Sequence, residues 1–228
     1  MQAELFTYGT IVTLAFFHTV VGPDHYLPFI AMSRNAGWST RKTAGLTIIC
    51  GLGHVLSSVI IGLSGLAFGI AIYKLEAIQS HRSDIAAWLL MIFGAGYVLW
   101  GYYLKRRHPH HHGHGHSHGY GYSHESSATS KEGKKSLTPW VLFTIFVFGP
   151  CEVLIPMLMY YAAQNNMSGM VTATILFGVT TIATMLVIVL LTLRGIKLIR
   201  LPFLEHHSHT VAGIIILLSG AGIKFLGL

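Results

Sequence analysis

His18, Asp24 and His25 lie around a Gly22-Pro23 pair in the apolar stretch FFHTVVGPDHYLPFIAM, residues 16–32, and His54 follows in the next apolar run. A second Gly-Pro pair, Gly149-Pro150, is followed at once by Cys151 and Glu152, and the dipeptide occurs nowhere else. Imidazole with carboxylate suits nickel, cobalt, zinc or iron, and a thiolate favours the softer of these. Ionisable groups inside an apolar span are costly and usually mark an ion or proton path. His18, Asp24, His25, His54, Cys151 and Glu152 are therefore the predicted metal ligands.

Spacing constrains how they work together. In an unbroken helix, a rise of about 1.5 Å per residue sets His18 and His25 roughly 10 Å apart, too far to share one ion at bonds of about 2 Å. Either the Gly22-Pro23 break folds the chain back, or the two serve successive stations along a path. Proline removes a backbone donor and clashes with the preceding turn. In lipid, such a break survives only facing protein or a wet cavity. The second half supplies Thr180, Thr181 and Thr184 where the first has His54 with Ser57 and Ser58, so the polar set is lopsided. Each residue also has an ordinary reading. A buried histidine can be a hydrogen-bonded packing residue, Cys151 a small hydrophobe, and Glu152 the partner of a basic residue at the membrane edge. Cys50 reads as packing.

The elements that must position these groups are apolar runs. The chain has 228 residues, 52% hydrophobic and 10% charged, with a mean hydropathy of +0.58. Soluble domains carry about a quarter charged residues, whereas a membrane helix needs about 20 predominantly apolar ones. Six runs qualify, at 5–32, 43–72, 85–104, 137–163, 169–193 and 210–227, predicting an all-α integral membrane protein with six transmembrane helices. The first run lacks a basic leading region and a prompt small-residue cleavage site, so it reads as a span rather than a signal peptide. Two cysteines, both inside predicted spans, leave no disulfide framework.

Charge orients the spans. Twelve of fifteen basic residues fall in the 1–2, 3–4 and 5–6 connections, against Lys74, Arg82 and Lys224 on the other side. The positive-inside rule puts those connections in the cytoplasm and both termini outside, in a plasma membrane. The net charge of +7 thus orients the protein in its lipid bilayer and implies no nucleic-acid partner.

Landmarks recur at nearly one offset. The Gly-Pro pairs are 127 residues apart, the GAG triplets at 94 and 220 are 126 apart, and HRSD at 81 matches HHSH at 206 at 125. Gly53 and Gly178 share the last spacing. Three spans per copy predict a 3+3 inverted repeat with broken first and fourth helices, an arrangement recurrent in secondary transporters. The copies are 1–104 and 137–228, joined by a connection at 105–136. Within it, HPHHHGHGHSHGYGYSH at 108–124 carries eight histidines among glycine and serine, a composition that reads as a disordered cytoplasmic metal-collecting loop.

The segment HTVVGPDH resembles the histidine–aspartate–histidine signature of the nickel/cobalt transporter superfamily, which includes six-span efflux and urease-accessory-like membrane proteins. His18, Asp24, His25 and His54 match that pattern, with five residues between His18 and Asp24 where the common pattern has four. The resemblance implies a secondary transporter of divalent transition metals, nickel or cobalt first and zinc or iron after them. The ion would be substrate rather than a permanently bound cofactor, a cytoplasmic metallochaperone a partner, and the chain not an enzyme. FGPCEVLIP is similar to the proline-cysteine motifs of membrane thiol-redox transporters, which pass electrons between two membrane cysteines. Here Asp24 stands where the second cysteine is expected and Cys50 lies on another helix, so this reading ranks as the alternative. A membrane hydrolase using metal-activated water is a third class; it needs an open coordination position and a substrate cleft.

Overall fold

The computed structural model describes residues 2–107, 138–149, 151, 153–198 and 208–226. The His-rich connection and Glu152 lie outside them. The described residues form helices: α1 Gln2–Val21, α2 Leu27–Asn35, α3 Thr40–Ala67, α4 Ile72–Arg107, α5 Thr138–Phe148, α6 Leu154–Ala163, α7 Met167–Leu198 and α8 Ser208–Leu226. A single 3-10 turn, Pro23–His25, joins α1 to α2. Within α3, α4 and α7 lie three segments long and apolar enough to cross a membrane; α1, α5, α6 and α8 carry shorter apolar stretches. The molecule is a multi-pass, all-helical membrane protein.

α3 is inside-out relative to the helices of soluble proteins. On α3 the buried residues are Thr43, Thr47, Cys50, Gly51, His54, Val55, Ser58, Gly62 and Gly65, in rows three and four apart. That is one helical stripe, and apart from Val55 it is small or polar. The opposite face exposes Ile49, Leu52, Leu56 and Ile60. α7 does the same with Val171, Ile175, Val179, Val187 and Leu191. Lipid is as apolar as leucine, so burying leucine between helices gains little there. Close approach of backbones and interhelical hydrogen bonds hold such bundles instead.

The α4–α8 pair shows how far small residues carry this. A Cβ on Gly94 would fall 2.5 Å from the backbone nitrogen of Leu217, one on Gly213 2.7 Å from that of Val98, and one on Gly220 2.8 Å from the carbonyl of Ala87. The first glycine of each GAG triplet thus lies in this seam, which explains why the triplet stands in both halves. Gly96 has open space where its Cβ would be. At one end of the pair Lys224 Nζ meets Asp84 Oδ1 at 2.7 Å. Elsewhere α1 packs on α7, α3 on α5, α6 and α7, and α2 on α8.

The boundaries differ from the sequence expectation in one place that matters. Span 3 was expected from residue 85, whereas α4 begins at Ile72 and runs 36 residues. The charged stretch QSHRSD therefore belongs to a helix and not to a connection.

Gly94→Ala should lower the thermal unfolding midpoint in detergent by several degrees, in line with an overpacking cost of about 1–3 kcal/mol. Gly96→Ala adds the same methyl group in open space and should leave the midpoint unchanged or raise it. Equal midpoints for the two variants would show that the seam does not hold the pair.

Candidate functional site

α1 stops at Val21 because Pro23 has no N–H to continue it; the last bond of the series runs from the N–H of Gly22 to the carbonyl of His18 at 3.1 Å. The chain then turns tightly, and the N–H of His25 reaches the Gly22 carbonyl at 3.1 Å. The His25 ring folds over the same residue: Nδ1 lies 3.0 Å from the Gly22 carbonyl and 3.2 Å from Asp24 Oδ1. A Cβ on Gly22 would sit 2.5 Å from that Nδ1, so the position has room for glycine alone. Val20, whose carbonyl loses its helical partner, is satisfied by the Tyr26 hydroxyl at 3.1 Å.

The second break meets the same problem with different residues. α5 closes with the N–H of Gly149 on the carbonyls of Ile145 and Phe146. The freed carbonyls of Val147 and Gly149 accept from Arg82 Nη2 at 2.7 and 3.5 Å. Arg82 also donates to Ser57 Oγ at 2.9 Å and to the side-chain oxygen of Gln79. Cys151, fully buried, donates its N–H to Ser58 Oγ at 3.3 Å, and Gln79 Nε2 stands 3.5 Å from its carbonyl. Val20 and Val147 are separated by the same 127 residues as the two Gly-Pro pairs. Equivalent carbonyls are thus satisfied by a phenol in one half and a guanidinium in the other.

These two breaks bring the donors together. The His18 and His25 rings are 4.9 Å apart and the His25 and His54 rings 5.1 Å, each pair edge to face. Of the two arrangements that the spacing allowed, the chain adopts the folded-back one. One ligand atom from each of His18, His54 and Cys151 lies within 4.8 Å of the others. Phe177 backs His18 at 6.1 Å and Phe146 backs His54 at 6.4 Å between ring centres.

Nε2 of His18, of His25 and of His54 is buried with no hydrogen-bond partner among the described residues. Leaving a buried polar atom unsatisfied costs about 1–3 kcal/mol, so three in one chamber need a reason. For His25 the other ring nitrogen is committed to the Gly22 carbonyl. If Nδ1 carries the proton, as that bond requires of a neutral ring, Nε2 presents a lone pair. Asp24 takes a supporting part: its carboxylate holds His25, and with His54, Phe146 and Gly149 it lines a cavity of about 10 Å³. That is room for about one water. Cys50 packs, as expected, beside Phe29, Met32 and Met185, and no disulfide joins it to Cys151.

Of the six predicted ligands, three therefore converge, His25 lies against two of them, Asp24 orients His25, and Glu152 lies outside the described residues. The residues that sequence reasoning missed are Arg82 and Gln79. Both sit in a stretch that reads as a charged connection, and the available signal was their i, i+3 spacing on what is now seen to be α4.

Residues 27–222 match the family described as the Cytochrome C biogenesis protein transmembrane region. The chain belongs to this family. No curated protein and no solved structure matches it. The match corrects the resemblance drawn from HTVVGPDH. This is a family of cytochrome c biogenesis and thiol-redox membrane proteins, not of nickel/cobalt transporters, and divalent-metal transport falls with that resemblance. The physical reason lies in what the short motif encodes. A helix broken at Gly-Pro inside a bilayer needs polar groups around the break whatever its cargo. Eight residues of that kind report the break, while the match spans most of the body and begins after Asp24 and His25.

Arg82→Met removes the donor to two buried carbonyls and should destabilise the protein by about 2–4 kcal/mol, given about 1.5–3 kcal/mol for a hydrogen bond to a charged group. Arg82→Lys keeps the charge without the fork and should fall between the two. Denaturant unfolding in detergent measures both; a wild-type midpoint for Arg82→Met would detach the guanidinium from the stability of the break.

Proposed function

We propose that this chain is a membrane thiol-redox protein in which Cys151 is the exchanging sulfur and the imidazoles of His18 and His54 handle its proton. The observation that carries this reading is the Cys151 thiol held within 4.8 Å of both rings, at the break of a cytochrome c biogenesis transmembrane region. The thiolate and not the thiol is the nucleophile, and an adjacent imidazole is the usual group to accept its proton. Cys151 also precedes α6, whose N-terminal backbone dipoles favour negative charge.

With one sulfur at the site, the step is exchange with partner proteins rather than an internal dithiol cycle. The Cys151 thiolate attacks a partner disulfide; a Cys151–partner S–S bond forms, the original S–S bond breaks, and the departing thiolate takes up a proton. One thiolate of a donor dithiol then attacks the Cys151 sulfur, so that the partner's second thiol leaves and a Cys151–donor S–S bond forms. The donor's other thiolate displaces Cys151 and closes the donor's own S–S bond. Two electrons have passed from dithiol to disulfide, and Cys151 is a thiol again. Cys151 is fully buried, so the two breaks are where the site opens to either partner.

The same reading takes the architecture to be six spans in a 3+3 inverted repeat, with both termini outside and the His-rich loop cytoplasmic. Its support is reciprocity. If α1–α2 corresponds to α5–α6, α3 to α7 and α4 to α8, the α1–α7 contact has its mirror in α5–α3, while α3–α7 and α4–α8 pair with themselves. A two-fold axis in the membrane plane requires that pattern.

In vesicles given an impermeant dithiol outside and a disulfide reporter inside, wild-type protein should reduce the reporter. Cys151→Ser should fall to the level of empty vesicles, Cys50→Ser should keep its rate, and His54→Gln should slow roughly a hundredfold, as expected for loss of a general base. Wild-type rates from Cys151→Ser would refute the proposal.

A further inference from the structure

Proton transfer in thiol exchange needs one base at a time and leaves unexplained why ligand atoms of His18, His54 and Cys151 converge with both Nε2 atoms buried and unpartnered. We infer that His18, His54 and Cys151 form a binding site for a single soft monovalent cation, copper(I), held inside the bundle. This goes beyond the thiol-redox reading and stands or falls separately from it.

Geometry is the first ground. Bonds of about 2.0–2.3 Å to imidazole and thiolate place the ligand atoms of a three-coordinate ion about 3.7 Å apart. Here they lie within 4.8 Å of one another, so closure needs a contraction of about 1 Å, within reach of small side-chain rotations. The ligands come from three separate elements, α1, α3 and the junction before α6. A bound ion would therefore tie the first break to the second.

The supporting contacts are the second ground. A metal-binding histidine characteristically gives its other ring N–H to a carbonyl or carboxylate, which fixes the tautomer and aims the lone pair. The His54 ring is packed against Phe146 and Gly149, and its Nε2 is buried and unpartnered. His25, tied to Gly22 and Asp24, stands edge-on between His18 and His54 and holds both rings in place.

Charge chooses the ion. Two neutral imidazoles and one thiolate total −1, so a monovalent cation gives a neutral complex, while a divalent one leaves a net charge in a dry, low-dielectric chamber. Uncompensated buried charge is strongly disfavoured. Cys151 has no exposed surface and His54 is 2% exposed, and the adjoining cavity holds about one water, too little to screen a net charge. Thiolate softness points the same way. Asp24 beside a neutral His25 adds −1, and the Arg82 guanidinium, bonded to the Gly149 carbonyl two residues before Cys151, adds +1, so the sum is unchanged.

The test uses the full-length protein in detergent, reduced and loaded under anaerobic conditions with one equivalent of copper(I) against a competing chelator. X-ray absorption at the copper edge should show one sulfur and two nitrogen neighbours. Cys151→Ser should lose the sulfur neighbour and weaken binding at least tenfold, and His54→Gln should weaken it similarly, while Cys50→Ser changes neither. Replacing the histidines of 108–124 by serine should leave the first equivalent in place. A nitrogen-only shell in the wild type overturns the site without recourse to any variant. Loss of the first equivalent on replacing the loop histidines also overturns it, as does zinc(II) displacing copper(I) from the sulfur-containing site. Thermal unfolding of metal-free Cys151→Ser and His54→Gln checks that both are folded. Reporter reduction by metal-free protein is a separate measurement, so failure of copper binding leaves the thiol-redox reading intact, and the converse also holds.

Discussion

A helix interrupted in the middle of a bilayer frees carbonyl groups that no water is there to satisfy, and the rest of this structure follows from how they are met. At the first break the Tyr26 hydroxyl reaches back to Val20; at the second, Arg82 crosses from α4 to Val147 and Gly149. The second solution is the more demanding. A guanidinium among helices must find acceptors for most of its donors, and Arg82 does so on Val147, Gly149, Ser57 and Gln79. Those partners belong to α3, α4 and the end of α5, so satisfying one break fixes the relation of three helices. Gln79 and Ser58 then extend the network to the backbone of Cys151. The Cys151 backbone is positioned by the same network that makes its break tolerable.

Glycine serves both breaks in a second way. Gly22 leaves space for the His25 ring and Gly149 for His54, whose Nδ1 would lie 3.3 Å from a Cβ there. Pro23 ends α1, and the glycine of each Gly-Pro pair admits an imidazole. This couples the polar groups to the break sterically, and it accounts for histidines standing at the interruption rather than a turn away.

Much of this could be read from residue order, and the parts that could not have a common cause. Helices, the breaks at Gly22-Pro23 and Gly149-Pro150, and the grouping of His18, His25 and His54 with Cys151 follow from hydropathy and proline chemistry, which are local. Whether His18 and His25 meet was undecidable from spacing, because it depends on the direction in which the chain leaves the turn. Arg82 was misread for a related reason. Its meaning lies in a contact 65 residues away in sequence with Val147, and charge alone marks it as a connection residue. FGPCEVLIP pointed to the thiol-redox group but ranked second, because the most conspicuous motif, HTVVGPDH, is dictated by the physics of breaking a helix in lipid, and the signal that identifies the family is spread over 27–222.

The two chemistries assigned to Cys151 exclude each other at any instant. A thiolate bonded to copper(I) has its electron pair engaged and cannot attack a disulfide, while a Cys151 in a mixed disulfide has no thiolate to offer a metal. Both need the same deprotonated sulfur, and both are served by the imidazoles of His18 and His54, each with a buried, unpartnered Nε2: proton acceptor in exchange, lone-pair donor in binding. The ion, by joining α1, α3 and the start of α6, would hold the breaks closed, whereas exchange with a partner requires them to open. Occupancy by metal and access by thiol are then opposite positions of one structural element, the paired interruption that Arg82 and Tyr26 make possible.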